Sequence, residues 1–583
     1  MLHTLTRSLR ENKGPALVTV LLSALEAVFE IVIPLFMSNL IDFGIEGGSM
    51  AAVWKFGAFL LLLAAFQLST GVLAARIAAR ASVGFAANLR EDMYNNVQTF
   101  AFSNIDKFST ASIITRLTTD TTNVQNAFQM LMRMAIRAPV MLIFSMIVSF
   151  RISRDISMTF LIILPILALA LFFIIRSVFP VFSRVFRTYD ELNNVVQENV
   201  RGIRVVKSFN QERHEIGKFD AISARIYQDF SKGERLITLN APLMQFCIYT
   251  CMIVISWLGA KAIIASGNDP ALGLTTGNLT ALITYTMQIL SSLMMLSMVF
   301  AMLTISLSSA RRIAEVLEER SDIPQPEQPV MTVRNGAVDF DHVSFVYASK
   351  ADKKVLDDIG LHIRSGETIG IIGGTGASKS SLVQLIPRLY DVTGGKLTLG
   401  GVDVRDYDLD TLRGAVAMVL QKNELFSGTI KENLRWGNEN ATDEELRHAC
   451  ELACADGFIS AMPDGYDTHI EQGGTNVSGG QKQRLCIARA LLKKPKVLIL
   501  DDSTSAVDTR TDAQIQQALS TYIPDTTKII IAQRISSVQN ADRIVVLDDG
   551  RINAVGSHDE LLRSCEIYRE VYESQQKGGE DDA

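Results

Sequence analysis

Basic charge is in short supply. Lys and Arg number 56 against 62 Asp and Glu, a formal net charge of -6 over 583 residues. That balance lacks the electrostatic footprint of nucleic-acid binding, so nothing suggests nucleic acid as a partner. Cysteine is sparse as well. Among the six, Cys247 and Cys251 lie four apart, as do Cys450 and Cys454; with Cys486 and Cys565 none has metal-ligand spacing. They read as buried thiols in a reducing compartment rather than a disulfide frame. Charge overall is thin, at 20% of residues against 48% hydrophobic, and mean hydropathy is +0.21. The excess excludes a purely soluble enzyme, and the apolar residues are unevenly spread.

They gather in six segments, roughly 15–42, 56–80, 127–150, 155–179, 239–265 and 278–305. Each is near the ~20 apolar residues that cross a bilayer. Residues 1–14 carry Arg7, Arg10 and Lys13 against Glu11 alone and read as a short interfacial helix. The next apolar segment is too long for a cleavable signal peptide. The connections 43–55, 151–154 and 266–277 are short, whereas 81–126 and 180–238 are long, polar and helix-patterned. The second holds Arg184, Arg187, Arg201, Arg204, Lys207, Arg213, Lys218 and Arg225. Positive charge collects on the cytoplasmic side, which places both long connections and both termini there. Arg151 and Arg154 in a short outer loop run against the rule. No Pro/Gly cluster marks where the spans leave the bilayer, so they are expected to continue into the cytoplasm as long helices. Two three-helix bundles with soluble inserts are the alternative.

After the sixth span the composition shifts. Ser321-Asp322-Ile323-Pro324-Gln325-Pro326-Glu327-Gln328-Pro329 reads as a linker. From about Val333, strands alternate with helices, the pattern of an α/β nucleotide domain. The fold predicted is a six-span α-helical transmembrane domain (1–318), a linker (319–335), an α/β P-loop ATPase domain (336–574) and a disordered acidic tail (575–583). In the ATPase domain an apolar strand, Thr368-Ile369-Gly370-Ile371-Ile372, runs into Gly373-Gly374-Thr375-Gly376-Ala377-Ser378-Lys379-Ser380-Ser381 and then a helix. Strand, glycine loop, Lys-Ser and helix make a phosphate cradle. Glycines let backbone N–H groups point into one cavity, and a helix N-terminus adds partial positive charge. Lys379 reaches terminal phosphates and Ser380 is a candidate Mg²⁺ ligand. The strand Val497-Leu498-Ile499-Leu500 ends in Asp501, a carboxylate suited to hold Mg²⁺ through its water shell.

Between them lies Asn476-Val477-Ser478-Gly479-Gly480-Gln481-Lys482-Gln483-Arg484. P-loop, Ser-Gly-Gly-Gln and acidic strand in that order strongly resemble the ATP-binding cassette (ABC) proteins, and six spans before one cassette resemble an exporter half-transporter. The resemblance covers essentially the whole chain. It implies ATP and Mg²⁺ as ligands and ATP hydrolysis coupled to transport. It implies an adenine-stacking aromatic at Tyr347 and a magnesium-touching glutamine at Gln421. Ser505-Ala506-Val507-Asp508 resembles the loop that crosses between paired cassettes. The stretches Ser103–Thr110 and Glu198–Phe209 look like regions flanking the helices that dock on the cassettes.

Three departures cluster in one site. The family's glutamate after the acidic strand is Asp502, one methylene short, and ~1 Å of misplacement can cost about 10²-fold. The family's switch histidine is Gln533, which hydrogen-bonds but carries no charge. The glycine before the P-loop lysine is Ser378. The signature Ser478-Gly479-Gly480-Gln481 keeps the family pattern. Cassettes of this family close head to tail, each ATP lying between one P-loop and the other chain's signature. The resemblance thus implies a heterodimer with a second half-transporter, in which this chain supplies a degenerate ATP site and an intact signature. The expected function is export of amphipathic compounds (drugs, lipids or peptides) across the cell membrane. A homodimer with slow turnover and a regulatory ATP-binding membrane protein are the alternatives. The substrate is not legible.

Within the spans, Met287, Met294, Met298 and Met302 share one face of the sixth, a candidate adaptable substrate surface or ordinary packing. Glu26 and Glu30 share one face of the first, where a carboxylate at membrane depth calls for a partner or a watery cavity. They are expected either to pair with Arg133 and Arg137 of the third span or to attract cationic amphipaths.

Overall fold

The structure, a computed structural model, describes residues 1–269, 273–347 and 354–580. It divides into two compact units, one of Met1–Gln98 with Thr110–Glu319, the other of Thr99–Ser109 with the chain from Arg320 onward. The first is helical: α1 (Leu2–Arg7), α2 (Lys13–Asn39), α3 (Met50–Gln98), then α4 (Phe102–Lys107), which belongs to the other unit, and α5 (Thr110–Thr115). There follow α6 (Thr121–Ile152), α7 (Arg154–Arg201), α8 (Ile203–Ser208), α9 (Glu212–Thr238), α10 (Asn240–Ser266) and α11 (Thr276–Glu318).

Six helical stretches are long and apolar enough to cross a membrane: Arg10–Glu46, Met50–Gln98, Thr110–Ile152, Arg154–Arg201, Glu212–Ser266 and Thr276–Glu318. In lipid every backbone polar group must be satisfied within the chain, which leaves the helix as the element these runs adopt. The spans do continue as long helices. α3 has 49 residues and α7 has 48, roughly 70 Å each at 1.5 Å per residue, more than twice the ~30 Å hydrocarbon layer. All six cysteines are free, and five are buried.

An apolar cluster that includes Ala27, Ile31, Met141, Phe160, Ile255 and Leu282 packs the bundle. A polar seam runs through it. Arg137 donates to Glu26 at 3.1 Å and to Glu30 at 2.5 Å, and Arg133 lies 4.0 Å from Glu26. Gln288 donates to the Glu30 carbonyl and accepts from Ser145, each at 3.1 Å. The two carboxylates therefore meet arginines, the packing option of the two set out above. The methionine face is divided: Met287 and Met298 are exposed, whereas Met294 packs on the apolar cluster.

In the second unit the strands are β1 (Val338–Phe345), β2 (Leu356–Ile363), β3 (Thr368–Gly373), β4 (Gly394–Leu399), β5 (Val402–Asp403) and β6 (Val416–Val419). They continue with β7 (Gly428–Thr429), β8 (His469–Ile470), β9 (Val497–Asp501), β10 (Thr527–Ile531), β11 (Arg543–Asp548) and β12 (Arg551–Gly556). β2-β1-β4-β5 form one sheet and β12-β11-β3-β10-β9-β6 another. In the larger sheet β11, β3, β10, β9 and β6 run parallel. Alternate residues face two different clusters, Leu498, Leu500 and Ile530 one, Ile499, Ile529 and Ile531 the other. Burial on both faces explains why these strands read as unbroken apolar runs. Register carries Gly373, Asp501 and Ile531 to the same edge, the carboxyl edge where ligands of open parallel sheets sit.

Two expectations need correction. The acidic tail is not disordered from 575: a helix spans Glu566–Glu580, and Gln575 caps loop groups of the cassette, accepting from Ile535 N at 2.9 Å and donating to Gln533 O at 2.8 Å. Residues 581–583 lie outside the described residues. Polar composition suggested a free tail, but two long-range amide bonds hold it. The loop 99–109 belongs with the cassette, because buried Asn104 donates to Arg320 O at 2.9 Å and accepts from Asp322 N at 3.2 Å.

Candidate functional site

β3 is buried and delivers the chain to the carboxyl edge, where the loop 373–378 turns into α12 (Lys379–Gln384). A Cβ on Gly373 would lie 2.2 Å from the Leu547 carbonyl, so only glycine fits the sheet there. A Cβ on Gly374 or Gly376 would meet open space, the concave side of a cradle, and Gly376 takes φ 86°. Ser378 is left-handed too, at φ 67° and ψ 23°. Glycine takes that region freely, while another residue gives up about 1–2 kcal/mol. α12 has only six residues, so loop amides and Lys379 carry more of the phosphate-binding capacity than the helix dipole does.

Lys379 turns into the concavity, donating to the carbonyls of Gly373 at 2.8 Å and Gly374 at 2.9 Å. Burial lowers its pKa, against the opposing pull of Asp501 and Asp502. Asp501, at the end of β9, is 4% exposed. Burial raises its carboxyl pKa, while a hydrogen bond from Ser380 opposes the rise. Ser380 and Asp501 thus present two hard oxygens side by side. Among the described residues no cluster of three or more His, Cys, Asp or Glu forms a metal cage. That donor set fits Mg²⁺, which binds through one or two side chains and takes its other ligands from phosphates and water.

The three sequence-predicted catalytic residues meet. Asp502 accepts from the Gln533 side-chain amide at 2.9 Å and the Gln421 amide at 3.4 Å. Its φ of 48° is left-handed, a region that aspartate tolerates better than most residues. Tyr347 donates to or accepts from Ser381 at 2.7 Å, and its ring is 44% exposed. Hydrogen bonds thus link Tyr347 to Ser381, Ser380 to Asp501, and Gln421 and Gln533 to Asp502, around the loop into which Lys379 folds.

The signature bonds to itself instead. Ser478 caps the helix Gly479–Leu492: its Oγ accepts from Gln481 N at 3.3 Å, and Gln481 Oε1 accepts from Ser478 N at 2.9 Å. Further along the same helix, Gln483 accepts from Ala506 N at 3.0 Å and donates to Ser505 at 3.2 Å. A Cβ on Gly480 would lie 2.8 Å from the Ala506 carbonyl. The signature helix and the Ser505–Asp508 loop are thereby tied together. Tyr390 and Gln575 escaped the sequence reading. No local spacing announces either, since their partners lie far away in the chain.

Two family models match the chain, the ABC transporter transmembrane region over residues 16–294 and the ABC transporter domain over residues 356–505. The uncharacterized ABC transporter ATP-binding protein YfiB of Bacillus subtilis is 35% identical over 558 residues, 96% of this chain and 96% of its own. An uncharacterized ABC transporter ATP-binding protein of Mycobacterium tuberculosis is 33% identical over 580 residues, 99% of this chain and 98% of its own. Among solved structures, that of a bacterial Atm1-family ABC exporter with ATP bound superposes with TM-score 0.80 at 24% identity, over 97% of this chain and 98% of its own. At that identity the likeness is one of fold.

Proposed function

Since this chain belongs to the ABC transporters, multi-pass membrane proteins that couple ATP hydrolysis in a cytoplasmic domain to transport, we propose that it is the degenerate-site half of a heterodimeric exporter of amphipathic compounds. The observation that carries this reading is the cluster of Asp502 with Gln421 and Gln533. A general base must reach the attacking water. A short carboxylate already engaged by two neutral amides is poorly placed to accept that water's proton, and neither amide offers a positive charge to the γ-phosphate. The reading assigns adenine to Tyr347, phosphates to the loop 373–378, Lys379 and Ser381, and magnesium to Ser380 and Asp501 with Gln421. Magnesium bound there would neutralise phosphate charge. Ser478, Gly479, Gly480 and Gln481 would face the nucleotide held by the partner, where a serine hydroxyl and helix N-terminal amides suit a developing charge. Substrate contact is assigned to the Met287, Met294 and Met298 face and to Glu30, whose side chain is 26% exposed against 11% for Glu26. The test is co-purification. A second half-transporter carrying Glu and His where this chain has Asp502 and Gln533 is the expected companion. A stable homodimer with full ATPase activity would overturn the reading.

A further inference from the structure

The sharpest unassigned geometry lies beside the nucleotide site. Asp106, on α4, accepts a hydrogen bond from the Tyr390 hydroxyl at 2.8 Å, and Phe102 of the same helix packs on the Tyr390 ring at 6.0 Å between centroids. Tyr390 in turn meets Tyr347 edge-on, at 5.1 Å and 89°. Phe345, 2% exposed, supports both rings from below, 4.8 Å from Tyr347 and 5.6 Å from Tyr390. Tyr347 then reaches Ser381, itself buried and next to Ser380. α4 lies in the chain between α3 and α5, which belong to membrane-spanning stretches.

We propose that Tyr390 is a positioning residue through which α4 sets the adenine affinity of this site: Asp106 anchors the Tyr390 hydroxyl, the Tyr390 edge fixes the Tyr347 ring, and Tyr347 stacks the base. The inference rests on Tyr347 being the adenine platform of the site proposed above. Burial and the neighbouring Asp106 both push the Tyr390 phenol well above its ordinary range, so it stays a donor at physiological pH. Edge-to-face contact fixes ring orientation more tightly than apolar packing alone. A ring already held in place binds its ligand without losing freedom on binding. Tyr347 is 44% exposed, so its orientation rests on its contacts with Tyr390, Phe345 and Ser381. The substitutions below break only the Asp106–Tyr390 link and alter neither the loop 373–378 nor Ser381, which makes a loss of base affinity separable from a general defect of the site.

The experiment uses the full chain, with whatever subunit co-purifies, in lipid nanodiscs. Photolabelling of this chain with 8-azido-ATP is competed by ATP or by inorganic tripolyphosphate, which has no base. Tyr390→Phe keeps the ring and removes the hydroxyl; Asp106→Ala removes the acceptor. Each is expected to weaken competition by ATP about threefold to tenfold, the range for one hydrogen bond, with tripolyphosphate unchanged. The double variant is expected to match the single ones, since both break the same link. Unchanged competition by ATP, additive losses, or an equal loss for tripolyphosphate would each overturn the relay. Failure of the unaltered chain to label at all would instead overturn the ATP-site reading beneath it.

Discussion

Asp502 and Asp501 are neighbours in sequence with opposite duties. Asp502 accepts from Gln533 and Gln421 at the rim, and the proposed slow turnover rests on that pairing more than on chain length alone. Lengthening it by Asp502→Glu would press the carboxylate into two amides already there, so the single change is expected to restore little. Asp502→Glu combined with Gln533→His returns both the longer base and a group that can carry charge. The pair is expected to raise single-turnover ADP formation at the Lys379 site by at least about tenfold, a fraction of what misplacement can cost. An unchanged rate would show that Ser378 or the partner's signature limits the step. Asp501 is buried, and its folded pKa is raised, chiefly by burial. The folded chain therefore holds that proton more tightly than the unfolded chain does. Stability from this group is present below the unfolded pKa and is lost as pH rises toward the folded one, so at pH 7 its charge weakens the nucleotide-free fold. Asp501→Asn is expected to raise the melting temperature without nucleotide and to abolish the further rise that Mg-ATP gives. A lower melting temperature without nucleotide would contradict the burial argument.

Elements differ in how openly the sequence announces them. The spans are legible because ~20 apolar residues in a row have few alternatives, and β3 and β9 because strands buried on both faces lose the polar alternation. The phosphate loop is legible because its glycines answer to local geometry: Gly373 abuts Leu547, and Gly376 takes a positive φ. The Glu26–Arg137 contact was half legible, since helical spacing put each pair on a face without saying which faces met. Tyr390 with Asp106, 284 positions apart, was not, nor was Gln575 bonding at Gln533. Such contacts come from folding topology and leave no spacing to read. α2 and α6 are joined by that seam, and Arg137→Ala would remove the ion pair of Glu30 and leave Glu26 with Arg133 at 4.0 Å. Breaking a fully buried ion pair by removing one partner costs about 3–5 kcal/mol, and this one, with Arg137 and Glu30 each 26% exposed, costs less. The variant is therefore expected to lower the thermal midpoint and yield in detergent, with Glu30→Gln much milder. If Arg137→Ala behaves like the unaltered chain while Glu30→Gln selectively impairs transport of cations over neutral compounds, the seam serves substrate rather than packing.

At the scale of the assembled transporter, the proposed division of labour has an order of severity. On that proposal the P-loop side of this chain, with Ser378, Asp502 and Gln533, would hold nucleotide without turning it over quickly, and its signature would serve a partner's site, where turnover would occur. Lys379→Ala should then reduce nucleotide occupancy on this chain while leaving much of the total ATPase. Ser478→Ala removes both the helix cap and the hydroxyl offered to the partner's nucleotide, and Gly480→Asp drives a side chain into the Ala506 carbonyl 2.8 Å away. Because Gln483 ties that helix to the Ser505–Asp508 loop, the disturbance reaches both elements proposed to face the other cassette. Either signature change is expected to lower total ATPase by about 10²-fold, the scale for losing one donor to a developing charge, whereas Asp502→Ala is expected to lower it by less than about threefold. The asymmetry is the informative quantity, since a loss of fold would make all four variants alike. Steady-state ATPase of the co-purified complex measures it directly. Greater damage from Asp502→Ala than from Ser478→Ala would place the working site on this chain's own P-loop and reverse the assignment of the two halves.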